Sequence, residues 1–321
     1  ELIVRAGNFA KTLPRSAQEV IDSFDIPEKA VKILSPYWCY LGIPMSRLSH
    51  IHWAAMLISY LEKGAYLPRC RSQEMANALD ARIRELGGDV QYNTRVEKIL
   101  VENGKVRGVE TSRGETVETG HVISNASPTL VYNRLVQPAS EVPEEALKNV
   151  NARKHAAAGF VVYVGLDATA EDVGLEDYGY FISDDMDTDR IYEPLDSLET
   201  PGMQATLCLN NAIPDCSPEG TSIVSITTMF KPEAWQKVQQ KDYFKLKNRI
   251  AGDLIGQLEE ATGAKIRDHI EEVEVATPVT FSRYTGTYSG VIYGYEPDTW
   301  DSPIPRVLSL KDENYIDGLV F

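Results

Sequence analysis

Few residues of this sequence stand at spacings that chemistry could use. His50 and His52 are one residue apart, but no third ligand joins them at the interval a zinc site needs, so surface or capping roles are expected and no metal. Asp184, Asp185, Asp187 and Asp189 crowd the stretch before Arg190. Oxygen ligands at that density could hold calcium, yet the Gly and terminal Glu of the helix-loop-helix calcium pattern are missing, and a solvated loop is expected. Cys39, Cys70, Cys208 and Cys216 lie far apart and form no Cys-x-x-Cys pair. Reduced thiols follow, although Cys208 and Cys216 could bridge a hairpin. Gly286, Gly290 and Gly294 recur at interval four among Thr, Tyr and Ser, as a backbone approaching a bulky ligand or simply turning requires. No Ser/His/Asp arrangement and no glycine-rich phosphate loop is present.

The elements that must carry these residues alternate in type. Helices are expected over residues 16–24 and 27–34, followed by an aromatic, Pro-bounded loop over 36–44. A strongly apolar helix over 46–62 has three candidate roles: a core helix, a wall of a lipophilic tunnel, or a helix resting in a bilayer interface. Ser72 offers an N-cap to a helix whose Met75, Leu79, Ile83 and Leu86 recur at helical spacing before Gly87-Gly88. Short strands are expected at 90–92, 96–101, 105–111 and 115–117, with Asn103-Gly104 as a hairpin turn. A buried-type strand should run from His121 into a polar turn at Pro128, before helices at 129–136 and 144–150. Further strands are expected at 159–165, 178–183, 204–210, 222–230 and 270–276, the first and fourth apolar enough to be central. The longest helix, 241–262, carries Leu246, Ile250, Leu254 and Leu258, and a last helix covers 277–284. The fold class is α/β (α+β).

A chain of 321 residues with 43% hydrophobic content can bury a sizeable core, and its length suggests two domains. A formal charge of −15, from 47 acidic against 32 basic residues, argues against nucleic-acid or anionic-membrane partners. No apolar run is long enough to span a bilayer. A cytoplasmic location is expected, with peripheral membrane contact admitted and oligomeric state unassigned.

The order of several short motifs carries a resemblance. Tyr66-Leu-Pro68 with Ser72-Gln73, the helix ending at Gly87-Gly88, Thr94-Arg-Val-Glu-Lys-Ile99 and the segment from Val122 to Pro128 follow one another. Ala276-Thr-Pro278, Arg283-Tyr-Thr-Gly286 and Ile292-Tyr-Gly294 come far downstream. Together they resemble the flavin-dependent oxidoreductases of the phytoene desaturase, carotenoid isomerase and retinol saturase group, within the amine oxidase superfamily. The resemblance implies FAD, a partial Rossmann-like FAD-binding domain (64–128 plus 300–321), and a substrate domain on a mixed sheet covered by helices (1–63 plus 129–299). It implies cofactor contacts at Ser72, Val96, Asn125 and Ala126, with Val96 presenting its backbone to the adenine. A lipophilic substrate pocket is expected around Tyr37, Trp53, Arg283 and Tyr293.

In such enzymes the cofactor does the hydride chemistry, so no catalytic side chain is assigned. The implied reaction is desaturation, saturation or isomerisation of C=C bonds in a polyene or isoprenoid-like molecule. The sequence departs from the pattern in three ways: it has no Gly-x-Gly-x-x-Gly, it lacks the group's C-terminal Gly-rich flavin turn, with Asp317-Gly-Leu-Val-Phe321 resembling the strand that leads into it, and Cys70-Arg71 stands where the group carries Gly-Gly. It is therefore expected to be an internal stretch of a longer flavoprotein, binding FAD weakly or not at all and inactive alone. A substrate-binding or scaffolding role, a degenerate homologue, and an amine oxidase-type flavoenzyme are the alternatives.

Overall fold

A computed structural model describes residues 7–69, 71–301 and 314–321; Cys70 and positions 302–313 of the expected second cofactor segment lie outside the described residues. Helices of six residues or more are α1 (Gly7–Thr12), α2 (Ala17–Asp22), α3 (Glu28–Leu34), α4 (His50–Lys63), α5 (Ser72–Glu85), α6 (Glu144–Ala152), α7 (Tyr243–Thr262) and α8 (Pro278–Thr285). Strands are β1 (Val96–Glu102), β2 (Lys105–Thr111), β3 (Thr116–Glu118), β4 (Val122–Ile123), β5 (Val136–Gln137), β6 (Ala158–Leu166), β7 (Gly179–Ser183), β8 (Met203–Cys208), β9 (Ser222–Phe230), β10 (Ile270–Ala276) and β11 (Leu319–Val320). No described helix is long and apolar enough to cross a membrane.

Contacts divide the chain into two units, one of Glu1–Met75, His155–Tyr284 and Tyr288–Ser302, the other of Ala76–Lys154, Thr285–Thr287 and Pro303–Phe321. The first unit holds a five-stranded sheet in the order β10-β6-β9-β8-β7. Its apolar runs β6 and β9 are interior strands, as their composition requires. Phe160, Val162 and Val164 alternate onto one face with Val224 and Ile226, against Ile250, Leu254 and Leu258 of α7. Each such side chain contributes about 1.5–3 kcal/mol by leaving water. Gly263 ends α7 in the left-handed conformation and donates its N–H to Glu259 O at 2.8 Å.

A second cluster packs the Pro-bounded segment: Trp38, Ile43, Met45 and Leu48 meet Trp53 and Leu57 of α4. The segment is a 3₁₀ helix over Ser35–Tyr40 rather than an open loop. α2 is entered by a capping box, in which Glu19 N donates to Ser16 Oγ (3.1 Å) and Ser16 N to the Glu19 carboxylate (2.8 Å). Gly286, Gly290 and Gly294 all have positive φ (69°, 77° and 76°), so they turn the chain. A Cβ at Gly290 would lie 2.1 Å from Pro278 O, so the close neighbour there is backbone.

In the second unit β3-β2-β1-β5 form a four-stranded sheet. The Asn103-Gly104 turn has positive φ at both residues (54° and 70°), as a type I′ hairpin demands. The Glu141 carboxylate accepts from Gly104 N at 2.8 Å. Ile99, Val101 and Val106 pack with Val131, Tyr132, Val136, Ala146 and Val150 in one buried cluster. That cluster is why residues 129–154 group with this unit, while the expected boundary fell at Pro128. Likewise 64–75 group with the first unit.

Several local expectations are corrected. The mixed sheet is the four-stranded one, where β1 pairs β2 antiparallel and β5 parallel; the five-stranded sheet is antiparallel throughout. Residues 90–92 form no strand, since Tyr92 O is taken by Arg113 Nη2 (2.9 Å) and Thr94 Oγ1 (3.0 Å). The helix expected over 129–136 is α-helical at Pro128–Leu130 and continues as a π-helical turn over Val131–Leu135. Val136 and Gln137 become β5, because Pro138 disfavours helix at the residue before it. β4 is not buried, for Ile123 is 84% exposed.

Candidate functional site

The described residues expected at the cofactor lie on two features. Val96 opens β1, 37% exposed and paired with Thr111 of β2 on one side. On its other side β5 reaches only Ile99 and Leu100. No strand among the described residues lies along that edge at Val96, so its backbone is open to a ligand there. β4 and β11 form a two-stranded parallel pair, continued by Ser124 N donating to Val320 O at 2.8 Å. Asn125 follows, exposed, beyond the carboxyl end of that pair, where open α/β sheets place ligands. The turn is capped by Ser124, whose hydroxyl accepts from Ala126 N at 3.2 Å. That leaves the Asn125 amide outside the local hydrogen bonding, while half-buried Ala126 packs on the unit's core.

Ser72 is exposed and is itself the first residue of α5, not its cap. The residue before it, Arg71, has φ 77°, the left-handed region that glycine enters freely and a side chain does not. Arg71 thus holds a glycine-type conformation where the resembled group carries glycine.

Of the four residues expected around a substrate pocket, Tyr37, Trp53 and Tyr293 share the second core cluster. Tyr37 belongs to a ring cluster in the first unit, with centroids 5.4 Å from Phe181, 5.9 Å from Tyr60 and 6.0 Å from Tyr40. Beside it opens a hollow of about 680 Å³ lined by Tyr40, Tyr60, Tyr66, Tyr178, Leu67 and Leu207 among others. Burial, and then the neighbouring Cys39, pushes the Tyr40 phenol up to about 12, and burial raises Tyr178. Both hydroxyls stay protonated at neutral pH, so they can donate hydrogen bonds but not serve as bases. At the rim, Arg69 pairs with Asp215 at 3.8 Å.

Tyr293 packs in the second core cluster, with its phenol raised by burial. Gly42, at φ 76°, makes room for it: a Cβ there would lie 2.6 Å from the ring. Trp53 lines a different groove, on α4. Arg283 is exposed on α8. Tyr40 stands in the expected aromatic loop and Tyr60 on the helix expected as a candidate tunnel wall, but no sequence pattern singled out Tyr66 or Tyr178 as wall residues. Tyr60 and Tyr178 are 118 positions apart, and no local pattern joins them.

The acidic loop is consumed locally. Asp187 Oδ1 accepts from Asp189 N at 3.0 Å, Ser46 Oγ donates to Asp189 Oδ1 at 2.6 Å, and Arg190 lies 3.5 Å from Asp185. The described residues hold no cluster of three or more His, Cys, Asp or Glu that could bind a metal. Arg47 bonds Glu296 and lies 3.4 Å from Asp298, while Tyr192 OH donates to Glu296 Oε1 at 3.2 Å. Glu296 is 5% exposed, so this network pins residues 296–298 beside α4. Ser49 N, which donates to Pro297 O at 3.0 Å, holds the same segment.

Comparison with known proteins adds a lineage. A family described as flavin containing amine oxidoreductase matches residues 10–307. Prolycopene isomerase of Daucus carota is 28% identical over 224 residues, covering 70% of this chain and 35% of that protein. The all-trans-retinol 13,14-reductase of Danio rerio is 25% identical over 327 residues, covering 94% of this chain and 52% of that protein. The chain thus spans about half, or less, of these relatives. Among solved structures, a putrescine oxidase variant aligns with TM-score 0.61 at 13% identity, over 97% of this chain and 62% of that one. An oxidoreductase from Methanosarcina mazei aligns with TM-score 0.57 at 19% identity, over 86% and 59%. At such identity these likenesses establish the fold.

Proposed function

The chain belongs to the flavin containing amine oxidoreductase family, and from that premise we propose that it is part of an FAD-dependent oxidoreductase acting on a lipophilic, polyene- or isoprenoid-like substrate. The observation that carries the substrate class is the hollow walled by Tyr40, Tyr60, Tyr66 and Tyr178. It offers a long apolar molecule aromatic faces and neutral hydroxyls. The named activities of the carrot and zebrafish relatives, on prolycopene and on all-trans-retinol, point the same way.

The residues present fit FAD at the second unit. Val96 offers an open backbone edge, and Asn125 an amide that no local turn consumes. Bound FAD would supply the hydride transfer. The chain's own residues orient the substrate and exclude water. In this reading the second unit serves the cofactor and the first the substrate.

The test uses protein made from the complete coding sequence, titrated with FAD and then incubated with all-trans-retinol, prolycopene or putrescine. Saturable flavin binding with conversion of a polyene is expected. Turnover of putrescine alone would assign the amine oxidase branch, and no flavin binding would leave a binder or scaffold. Because Val96 acts through its backbone, Val96→Ala should bind FAD as wild type does, whereas Val96→Pro removes the donor and should abolish binding with the fold intact.

A further inference from the structure

The groove that contains Trp53 is separate from the tyrosine-walled hollow and does not depend on the flavin reading. It measures about 790 Å³ and runs between α1, α2 and α4, within the size range of small-molecule sites. Its floor is apolar and buried: Val20, Ile21, Trp53 and Leu57 are each less than 9% exposed. Its lip is apolar and open, with Phe24, Ile58 and Leu61 exposed by 62%, 53% and 76%.

A further observation says what would fill it. The described lining residues include Lys11 and Arg15 and no Asp or Glu. In a chain of net charge −15 that is a local reversal of sign. Neither cation has a carboxylate partner among the described residues, so both are free to meet a ligand's charge.

We propose that this groove binds a single-chain amphiphile with an anionic headgroup, its hydrocarbon on Val20, Ile21, Trp53 and Leu57 and its head at Lys11 and Arg15. A single molecule is favoured over a bilayer because the acidic chain as a whole is repelled by an anionic surface, whereas one headgroup answers to the two nearest cations.

Oleate, kept below its micellar concentration, is the probe, titrated into the 321-residue protein by calorimetry and by tryptophan fluorescence, with oleyl alcohol as the neutral-headed counterpart. Saturable oleate binding is expected. The double variant Lys11→Glu/Arg15→Glu should weaken oleate by roughly tenfold or more while changing oleyl alcohol little. Ile58→Asp, at an exposed position that should not disturb folding, should weaken both. The proposal is overturned if wild-type protein shows no saturable binding or if Ile58→Asp binds oleate as wild type does. It is also overturned if Tyr66→Asp, in the other hollow, is the variant that loses binding. Co-flotation with phosphatidylglycerol vesicles without binding of monomeric oleate would give the face to a membrane and equally end the proposal.

Discussion

The sheet and α7 core of the first unit and the elements of the second treat their apolar residues differently. In the first, the five-stranded sheet lays Phe160, Val162 and Val164 against α7, and these side chains are no more than 1% exposed. In the second, Ile99, Val101 and Val106 are buried, but α5 turns Leu79 and Ile83 outward at 60% and 44% exposure, and Leu86 just after it is 69% exposed. Ile123 and Val320 of its parallel pair are 84% and 45% exposed. Both units obey the same periodicity rules. What differs is whether a neighbouring element among the described residues covers the stripe. An apolar stripe at helical spacing therefore shows which face a helix would bury, and not that it is buried.

The largest effect expected from this contrast is in the first core. Phe160→Ala should cost about 3–5 kcal/mol in urea unfolding, because a fully buried ring leaves a cavity; a loss under about 1 kcal/mol would mean that the sheet repacks as loosely as a surface. Next comes the Arg47 network. Arg47→Ala leaves Glu296 buried without its cation, and with the guanidinium about a third exposed a loss of about 1–3 kcal/mol is expected, below that for a fully buried pair. Thermal denaturation of that variant beside Glu296→Gln would separate an unpaired charge from lost packing, since the neutral variant should be the milder of the two.

Smaller still is the gain at the junction before α5. Arg71→Gly removes a side chain from φ 77° and should stabilise by about 0.5–1 kcal/mol after glycine's own entropy cost. Destabilisation there would show that the side chain makes contacts worth more than its strain. In the second unit, Leu79→Ser should change stability by no more than about 0.5 kcal/mol, as at other surface positions; a loss resembling that of Phe160→Ala would erase the comparison.

The least of the effects concerns pH. Burial lowers the pKa of His52 from 6.5, so the folded state favours the neutral ring. As pH falls below 6.5 the unfolded chain takes the proton first, and stability is lost toward acid. His52→Gln should flatten that part of the melting-temperature profile, and an unchanged slope would remove His52 from the account.

By itself the sequence determined what is local. Asn103-Gly104 set the hairpin, because only residues tolerant of positive φ can occupy both turn positions. The four-spaced Ile250, Leu254 and Leu258 fixed α7 and its buried face, and Gly263 its end. The continuous apolar runs of β6 and β9 marked interior strands. The ordered motifs, from Tyr66 to Pro128 and again from Ala276 to Gly294, together reached the family. Tertiary structure decided what depends on distant partners. Val136 and Gln137 became a strand because β1 lay ready to pair with them. Tyr40, Tyr60 and Tyr178 became one wall, while Tyr37, Trp53 and Tyr293 met in one core cluster, Arg283 stayed exposed on α8, and Arg71 took up a glycine's conformation. Periodicity and turn chemistry act over a few residues, but burial, pairing and enclosure are settled between residues as far apart as Tyr60 and Tyr178.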